Sequence, residues 1–302
     1  MAALEPLLAR AYWLEERYKV AAMFAFRIPL YVWVDNFVDG LLNRFSGAFD
    51  GFGDMVSTVL DGLLWLLQSA HPLLIVLSIA LLALWLAGWR VGLFALLGLL
   101  LIENIGLWSP FIATLALVLT AQLLILVVGL PVGILMASSK RLEQILQPVL
   151  DFMQTMPAFV YLIPAVMFFG LGIVPGVVAT FVFALPPLVR LTSLGIRQVP
   201  HDLIEASEAF GSTYLQKLLK VQLPVALPTI MAGVNQSIML NLSMVVISAM
   251  IAAGGLGAEV LRGIQRLEIG RGFEAGLAVV ILAIVLDRIT ASVGKDKHRQ
   301  LK

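Results

Sequence analysis

Between residues 111 and 137 the chain runs without a single charged side chain. As an α-helix this stretch would rise roughly 40 Å at 1.5 Å per residue, more than the ~30 Å hydrocarbon core of a bilayer. Inside hydrocarbon every backbone N–H and C=O must find its partner within the protein, so a segment of this kind crosses as a helix. Six further apolar runs answer to the same ruler, at 73–87, 91–107, 149–169, 174–191, 225–253 and 273–293. The chain is therefore expected to be an all-α integral membrane protein, a polytopic bundle of about seven transmembrane helices. Its 60% hydrophobic residues and mean hydropathy of +0.98 agree, against ~45–50% apolar residues in soluble domains. The first two runs, 73–87 and 91–107, are short and meet at Gly88-Trp89-Arg90, which leaves two full spans and one re-entrant hairpin both open.

Charge then orders the loops. A net charge of +1 lacks the clustered excess of Lys and Arg that a nucleic-acid surface needs. The absence of cysteine excludes a disulfide framework and thiol chemistry, and three histidines leave little for a metal site. Basic loops are retained on the cytoplasmic side. Lys140-Arg141, the stretch from Arg190 through Arg197, Lys217 and Lys220, and the tail Lys295, Lys297, Arg299 and Lys302 share one side when seven spans alternate. That places the N-terminus outside and the C-terminus inside. Residues 1–70 carry eight acids against five bases and read as an external N-terminal segment, with no apolar core of a cleavable signal in the first residues. Its Trp33, Phe37, Phe45, Phe49, Phe52 and Trp65 among acids and glycines suit an amphipathic helix in the headgroup plane, or a small cap packed on the spans. Residues 71–302 form the membrane domain. Arg262, Arg266 and Arg271 fall in the predicted outer loop, against the rule, and are partly offset by Glu259, Glu268 and Glu274.

The membrane interior is short of ionisable groups. Glu103, Asp151, Asp287 and Arg288 all sit near span ends, so the mid-membrane carboxylates typical of an ion-coupled carrier are not in evidence. The sixth run does hold polar residues, of which Ser237, Asn241 and Ser248 fall within about 40° of one helix face at 100° per residue. Such a stripe lines a pathway for a small polar solute or bonds to a neighbouring helix. In the fourth run, Gln154, Thr155 and Pro157, followed by Pro164, interrupt the apolar pattern. Proline removes a donor and crowds the carbonyl four residues back, so a bend or partial unwinding is expected there, serving as a gate or as a fixed kink. Gln154, Thr155, Pro157, Ser237, Asn241 and Ser248 are the candidate translocation-pathway residues.

Residues 205–224 form a polar island between apolar blocks, within a predicted cytoplasmic loop at 192–224. Asp202 followed by Glu205 has the spacing of a capping box, so a short helix is expected to start at Asp202. It would carry Ala206, Ala209 and Phe210 and stop at Gly211, the usual residue for a left-handed helix end. Ser212 or Thr213 would cap a second helix, ended by Leu223-Pro224.

That run resembles the cytoplasmic signature of ABC importer permeases, which in words is Glu-Ala-Ala, three residues, Gly, nine residues, Ile, one residue, Leu-Pro. Here Glu205-Ala206-Ser207, Gly211, Val221 and Leu223-Pro224 stand at those intervals, with Ser207 and Val221 as mild departures. The stretch 152–159, Gly170-Leu171-Gly172 and the turn Ala253-Gly254-Gly255-Leu256-Gly257 are similar to the glycine betaine/proline betaine (quaternary ammonium) branch of these permeases. The resemblance covers roughly residues 55–293 and implies the type I ABC importer (MetI-like) permease fold of the bacterial cytoplasmic (inner) membrane.

The resemblance further implies a homodimer of two such permeases, served by two cytoplasmic ABC ATPase subunits and an external substrate-binding protein. Asp202, Glu205, Ala206, Ser207, Phe210, Gly211, Leu223 and Pro224 would then form the coupling element seated in the ATPase. The chain has no Gly-x4-Gly-Lys-Ser/Thr loop, so ATP and magnesium are expected on the partner, with no cofactor on this chain and no enzymatic activity of its own. The solute would be a quaternary ammonium compatible solute such as glycine betaine or proline betaine, with choline and carnitine as further candidates. Rival readings are a permease for another small polar solute, an ion-coupled carrier or channel, and an intramembrane enzyme. The last has no visible nucleophile–base or metal cluster, since His71, His201 and His298 are spread over loops and tail.

Overall fold

A computed structural model describes residues 29–299. The expected N-terminal segment therefore lies outside the described residues over 1–28, as does the tail over 300–302. The described residues are helical throughout, without a strand. Helix α1 runs Leu30–Ser69, with its regular backbone broken at Phe45 (φ −121°, ψ 16°). The chain divides into two compact units between Phe49 and Asp50. The unit that holds the apolar runs thus begins at Asp50, ahead of residue 70, because Val56 and Leu60 are buried in its core. Their i, i+4 spacing puts both on one face of α1.

The next two helices, α2 (Pro72–Ala87) and α3 (Trp89–Asn104), pack on each other as a hairpin and bury Ala83 and Ala95 completely. His71 caps α2 by accepting the Leu73 N–H at 3.3 Å, and Pro72 supplies the preset first turn. Each helix has 16 residues, a rise of roughly 24 Å and short of the ~30 Å apolar core. The long helices follow: α4 (Trp108–Ser138), α7 (Ile173–Arg197), α10 (Leu223–Ser248) and α12 (Ile269–Arg299), with the shorter α5 (Lys140–Thr155), α6 (Leu162–Phe169), α8 (His201–Ala209), α9 (Tyr214–Lys217) and α11 (Gly255–Arg266) between them.

The run 149–169 is not one straight helix. Helix α5 starts at Lys140, where the Ser139 hydroxyl accepts the Leu142 N–H at 3.4 Å, and it ends at Thr155. A 3-10 turn (Ala158–Tyr161) and the short α6 (Leu162–Phe169) follow at 108° to α5. Pro157 is the cause: its ring drives Met156 out of the helical region to ψ 135°, as expected before proline. Among the described residues, four helices are long and apolar enough to cross a membrane singly, and the number rises to six if each of two bent pairs makes one crossing. About seven spans were expected, with a bend foreseen at Pro157; the 16-residue arms of the α2–α3 hairpin are too short to count singly.

The core lies where α4, α7 and α10 meet, around Phe111, Ile125 and Leu188. Helix α4 approaches α7 through Gly129 and Gly133, spaced as in the small-xxx-small motif of membrane helix pairs. A Cβ at Gly133 would stand 2.6 Å from the Thr192 Cβ and 2.9 Å from the Val189 carbonyl oxygen. Only glycine permits this approach.

Candidate functional site

The polar island folds as two short helices joined at Gly211. Helix α8 (His201–Ala209) begins one residue earlier than the spacing predicts, and its cap lies two residues earlier. Its N-cap is Pro200, whose carbonyl already accepts the Leu203 N–H at 3.1 Å, and no side chain caps it. The expected capping box between Asp202 and Glu205 is therefore not formed. Asp202 lies in the first turn, where its charge still complements the positive helix end. Glu205 pairs instead with His201 one turn back, at 3.0 Å.

The far end of α8 closes as a Schellman motif. The Gly211 N–H reaches the Glu208 carbonyl at 2.9 Å and the Ser212 N–H reaches the Ser207 carbonyl at 3.1 Å. Gly211 takes φ +73°, the left-handed region that a side chain disfavours. The Ser212 hydroxyl adds a second bond to the Ser207 carbonyl at 2.6 Å, and the Ser207 hydroxyl donates to Ile204 at 2.8 Å. Thr213 and Gln216 form a capping box for α9 (Tyr214–Lys217). An ion pair from Lys217 to Glu208 clasps the two helices, and it holds the Glu208 carboxyl below the usual glutamate range by hydrogen bonding and by charge.

Leu223-Pro224 does not end the second helix. A π-helical turn (Leu218–Gln222) follows α9 and leads straight into α10, with the Leu223 N–H bonded to the Leu218 carbonyl. Pro224 has no N–H to return to Lys220, and the wider turn absorbs the missing bond. Tyr214–Ile251 is consequently a single 38-residue helix. Around the joint, Leu203, Tyr214 and Leu215 are exposed, and Phe210 is 93% exposed at its tip. Glu205 and Ala206 share that open surface.

A second polar feature is a cleft of about 390 Å³ where α5, α7 and α10 converge. Glu143, Gln147, Gln154, Arg190, Arg197 and Gln236 face it. Two ion pairs, Asp151 with Arg190 and Glu143 with Arg197, tie α5 to α7 beside it. Arg197 also donates to the Met136 carbonyl at 2.6 Å, while the Nε of Arg190 is buried and has no partner among the described residues. Gln154 thus lies in the cleft, whereas Thr155 bonds its own helix at Phe152 (3.0 Å) and Pro157 forms the break. Basic residues at loop positions marked this region in the sequence. Which acid each would meet was not legible, because the partners lie 39 and 54 residues apart.

The Ser237, Asn241 and Ser248 stripe is fully buried. Ser237 and Asn241 converge on Gln122 of α4, with the Gln122 Nε2 to Ser237 Oγ at 3.0 Å and the Asn241 Nδ2 to Gln122 Oε1 at 2.9 Å. The Ser248 hydroxyl donates to Val245 at 3.0 Å. Of the two uses open to such a stripe, the Ser237 and Asn241 contacts are helix-to-helix bonding while the Ser248 bond stays within α10, and none of the three side chains lines the cleft. Gln122 was overlooked in the sequence, although it is the lone carboxamide in the uncharged run 111–137.

Residues 129–298 match the family described as binding-protein-dependent transport system inner membrane component. The chain is 52% identical over 271 residues to the glycine betaine transport system permease protein OpuAB of Bacillus subtilis, covering 90% of this chain and 96% of that one. It is 52% identical over 272 residues to the glycine betaine/carnitine transport permease protein GbuB of Listeria monocytogenes, with 89% and 96% covered. To the glycine betaine/proline betaine transport system permease protein ProW of Escherichia coli it is 54% identical over 271 residues, with 90% and 77% covered. Among solved structures, an inward-facing form of the MetNI methionine ABC transporter aligns at TM-score 0.54 and 25% identity, over 67% of this chain and 96% of that one.

Proposed function

We infer a role from one premise: this chain belongs to the family of binding-protein-dependent transport system inner membrane components. It is the multi-pass permease subunit of an ABC importer of the bacterial cytoplasmic membrane, and an ATPase and a substrate-binding protein are its partners. ATP hydrolysis belongs to the separate subunit.

The solute we propose is a quaternary ammonium zwitterion, with glycine betaine first. One observation carries this: at 52–54% identity over nine-tenths of the chain, the relatives named above share glycine betaine in their names. We further propose that two copies pair, and that the loop around Gly211 seats in the ATPase, which holds ATP and magnesium. What supports the seating is the pairing of a rigid joint with exposed apolar tips. The Schellman closure and the Glu208–Lys217 clasp fix the angle between α8 and α9, and Phe210 projects into solvent at no visible gain to this chain alone. An exposed aromatic beside Glu205 and Ala206 suits a groove on another protein.

Uptake of radiolabelled glycine betaine tests the solute. Cells lacking other betaine uptake, and expressing this permease with its ATPase and binding protein, should accumulate it in an energy-dependent way, with proline betaine competing. Accumulation of carnitine or choline to the exclusion of glycine betaine would reject the assignment.

A further inference from the structure

Helix α10 carries a second polar stripe, separate from the buried one. Ala232, Gln236, Met239 and Ser243 are all exposed, although beyond Val225 the other faces of the helix are buried or half-buried against α4, α7 and α12. At 100° per residue the four lie within about 60° of one another, and about 100–180° away from Ser237 and Asn241. Two polar faces on one apolar helix therefore have different fates: one is satisfied inside the bundle, and the other is left open.

An open carboxamide at membrane depth cannot rest against lipid cheaply. Removing an unbonded amide from water costs roughly 2–7 kcal/mol, so polar groups at that depth pack on protein or line water. Gln236 has no hydrogen-bond partner among the described residues, and the Ser243 hydroxyl donates to the Met239 carbonyl at 3.0 Å, which leaves its lone pairs free. Gln236 also faces the cleft together with Gln147, Gln154 and Arg190. The stripe thus runs into that cleft of about 390 Å³. A dry contact would be expected to end on apolar groups; this one ends on a guanidinium with an unbonded Nε.

We propose that the Ala232–Gln236–Met239–Ser243 face of α10 lines the solute passage and delivers it, at Gln236, into the cleft beside Arg190. The chemistry matches the zwitterion inferred above, on which this assignment of groups rests. The amide of Gln236 donates along the route to a carboxylate, the Ser243 hydroxyl can turn its proton from the Met239 carbonyl to the same use, and the Arg190 guanidinium, paired with Asp151, adds positive charge at the end. Ala232 and Met239 offer polarisable, uncharged surface to the methyls of an ammonium, without the carboxylate that would trap it. Weak donors in series suit passage, since a tight site would slow release.

The chain has no cysteine, so single substitutions report without background. Gln236→Cys and Ser243→Cys are compared with Val127→Cys, on an exposed apolar face of α4, and with Ser248→Cys, which is buried. Each is made in the complete complex with ATPase and binding protein, in membrane vesicles. The probe is the trimethylammonium-ethyl methanethiosulfonate cation, whose S–S bond the thiolate opens to give a mixed disulfide and methanesulfinate. A fixed charge keeps it out of hydrocarbon, so the first two variants should react at least about tenfold faster than the last two. Glycine betaine present during turnover should slow that reaction severalfold. Equal rates at all four positions, or rates at Gln236→Cys and Ser243→Cys that the transported solute leaves unchanged, would overturn the proposal. Uptake by the unsubstituted complex is scored beside it. If betaine is not taken up, the solute reading falls, and the labelling pattern with a neutral maleimide still decides whether this face meets water.

Discussion

At the scale of single residues, the loop is held by groups whose removal has calculable effects. Gly211 at φ +73° should resist replacement: Gly211→Ala places a Cβ in the left-handed region at a cost of about 1–2 kcal/mol. That cost falls on the joint between α8 and α9, leaving the spans untouched. The permease should insert normally while betaine uptake and stimulation of the ATPase both fall severalfold, and wild-type transport by this variant would dismiss the joint. Glu208 carries a pH signature. Its folded pKa is lowered by Lys217, so the clasp stabilises the loop above the unfolded value of about 4.3 and is lost as pH falls through the lower folded value. Carbon-13 titration of the Glu208 carboxyl should therefore show a midpoint below the ordinary glutamate range. Lys217→Met should restore an ordinary midpoint.

At the scale of elements, the sequence announced some features and concealed others for identifiable reasons. The Gly211 stop and the Thr213 cap were legible because both are local, requiring only φ > 0 and a hydroxyl three residues before Gln216. Breakage at Pro157 was legible for the same reason. The start of α8 was misread because Pro200 presets the first turn before Asp202 can cap it. The end at Pro224 was misread because a π turn can carry a helix past a proline. Sequence periodicity found the Ser237–Asn241 stripe of α10 and left pathway lining and helix bonding both open, since spacing does not say which face meets Gln122. That buried junction makes its own prediction. Gln122→Leu removes the amide that receives Asn241 and reaches Ser237, and interhelical hydrogen bonds in membranes average about 0.6 kcal/mol each. A loss of about 1–2 kcal/mol is expected, with unpaired Asn241 at the upper end. It should appear as a lower unfolding temperature in detergent, with uptake retained in surviving molecules. No change in stability would mean that the stripe bonds elsewhere.

At the scale of the molecule, the proposed pairing of two copies is open to a mass measurement. Native mass spectrometry of the complex, stripped of ATPase and binding protein, should give twice 32.8 kDa. A single-copy mass under mild detergent would refute it. The uninterrupted helix Tyr214–Ile251 has a consequence for how such a machine is driven. Its 38 residues reach roughly 57 Å at 1.5 Å each, from the clasped joint to the turn at Gly254, where the Leu256 N–H is bonded to the Thr114 hydroxyl at 2.8 Å. Between these ends there is no hinge loop to absorb a stroke. Under the proposed seating, force applied at Phe210 and Glu205 on α8 would pass through the clasped Gly211 joint into this strut, and from there to its opposite end the timing would be set by stiffness.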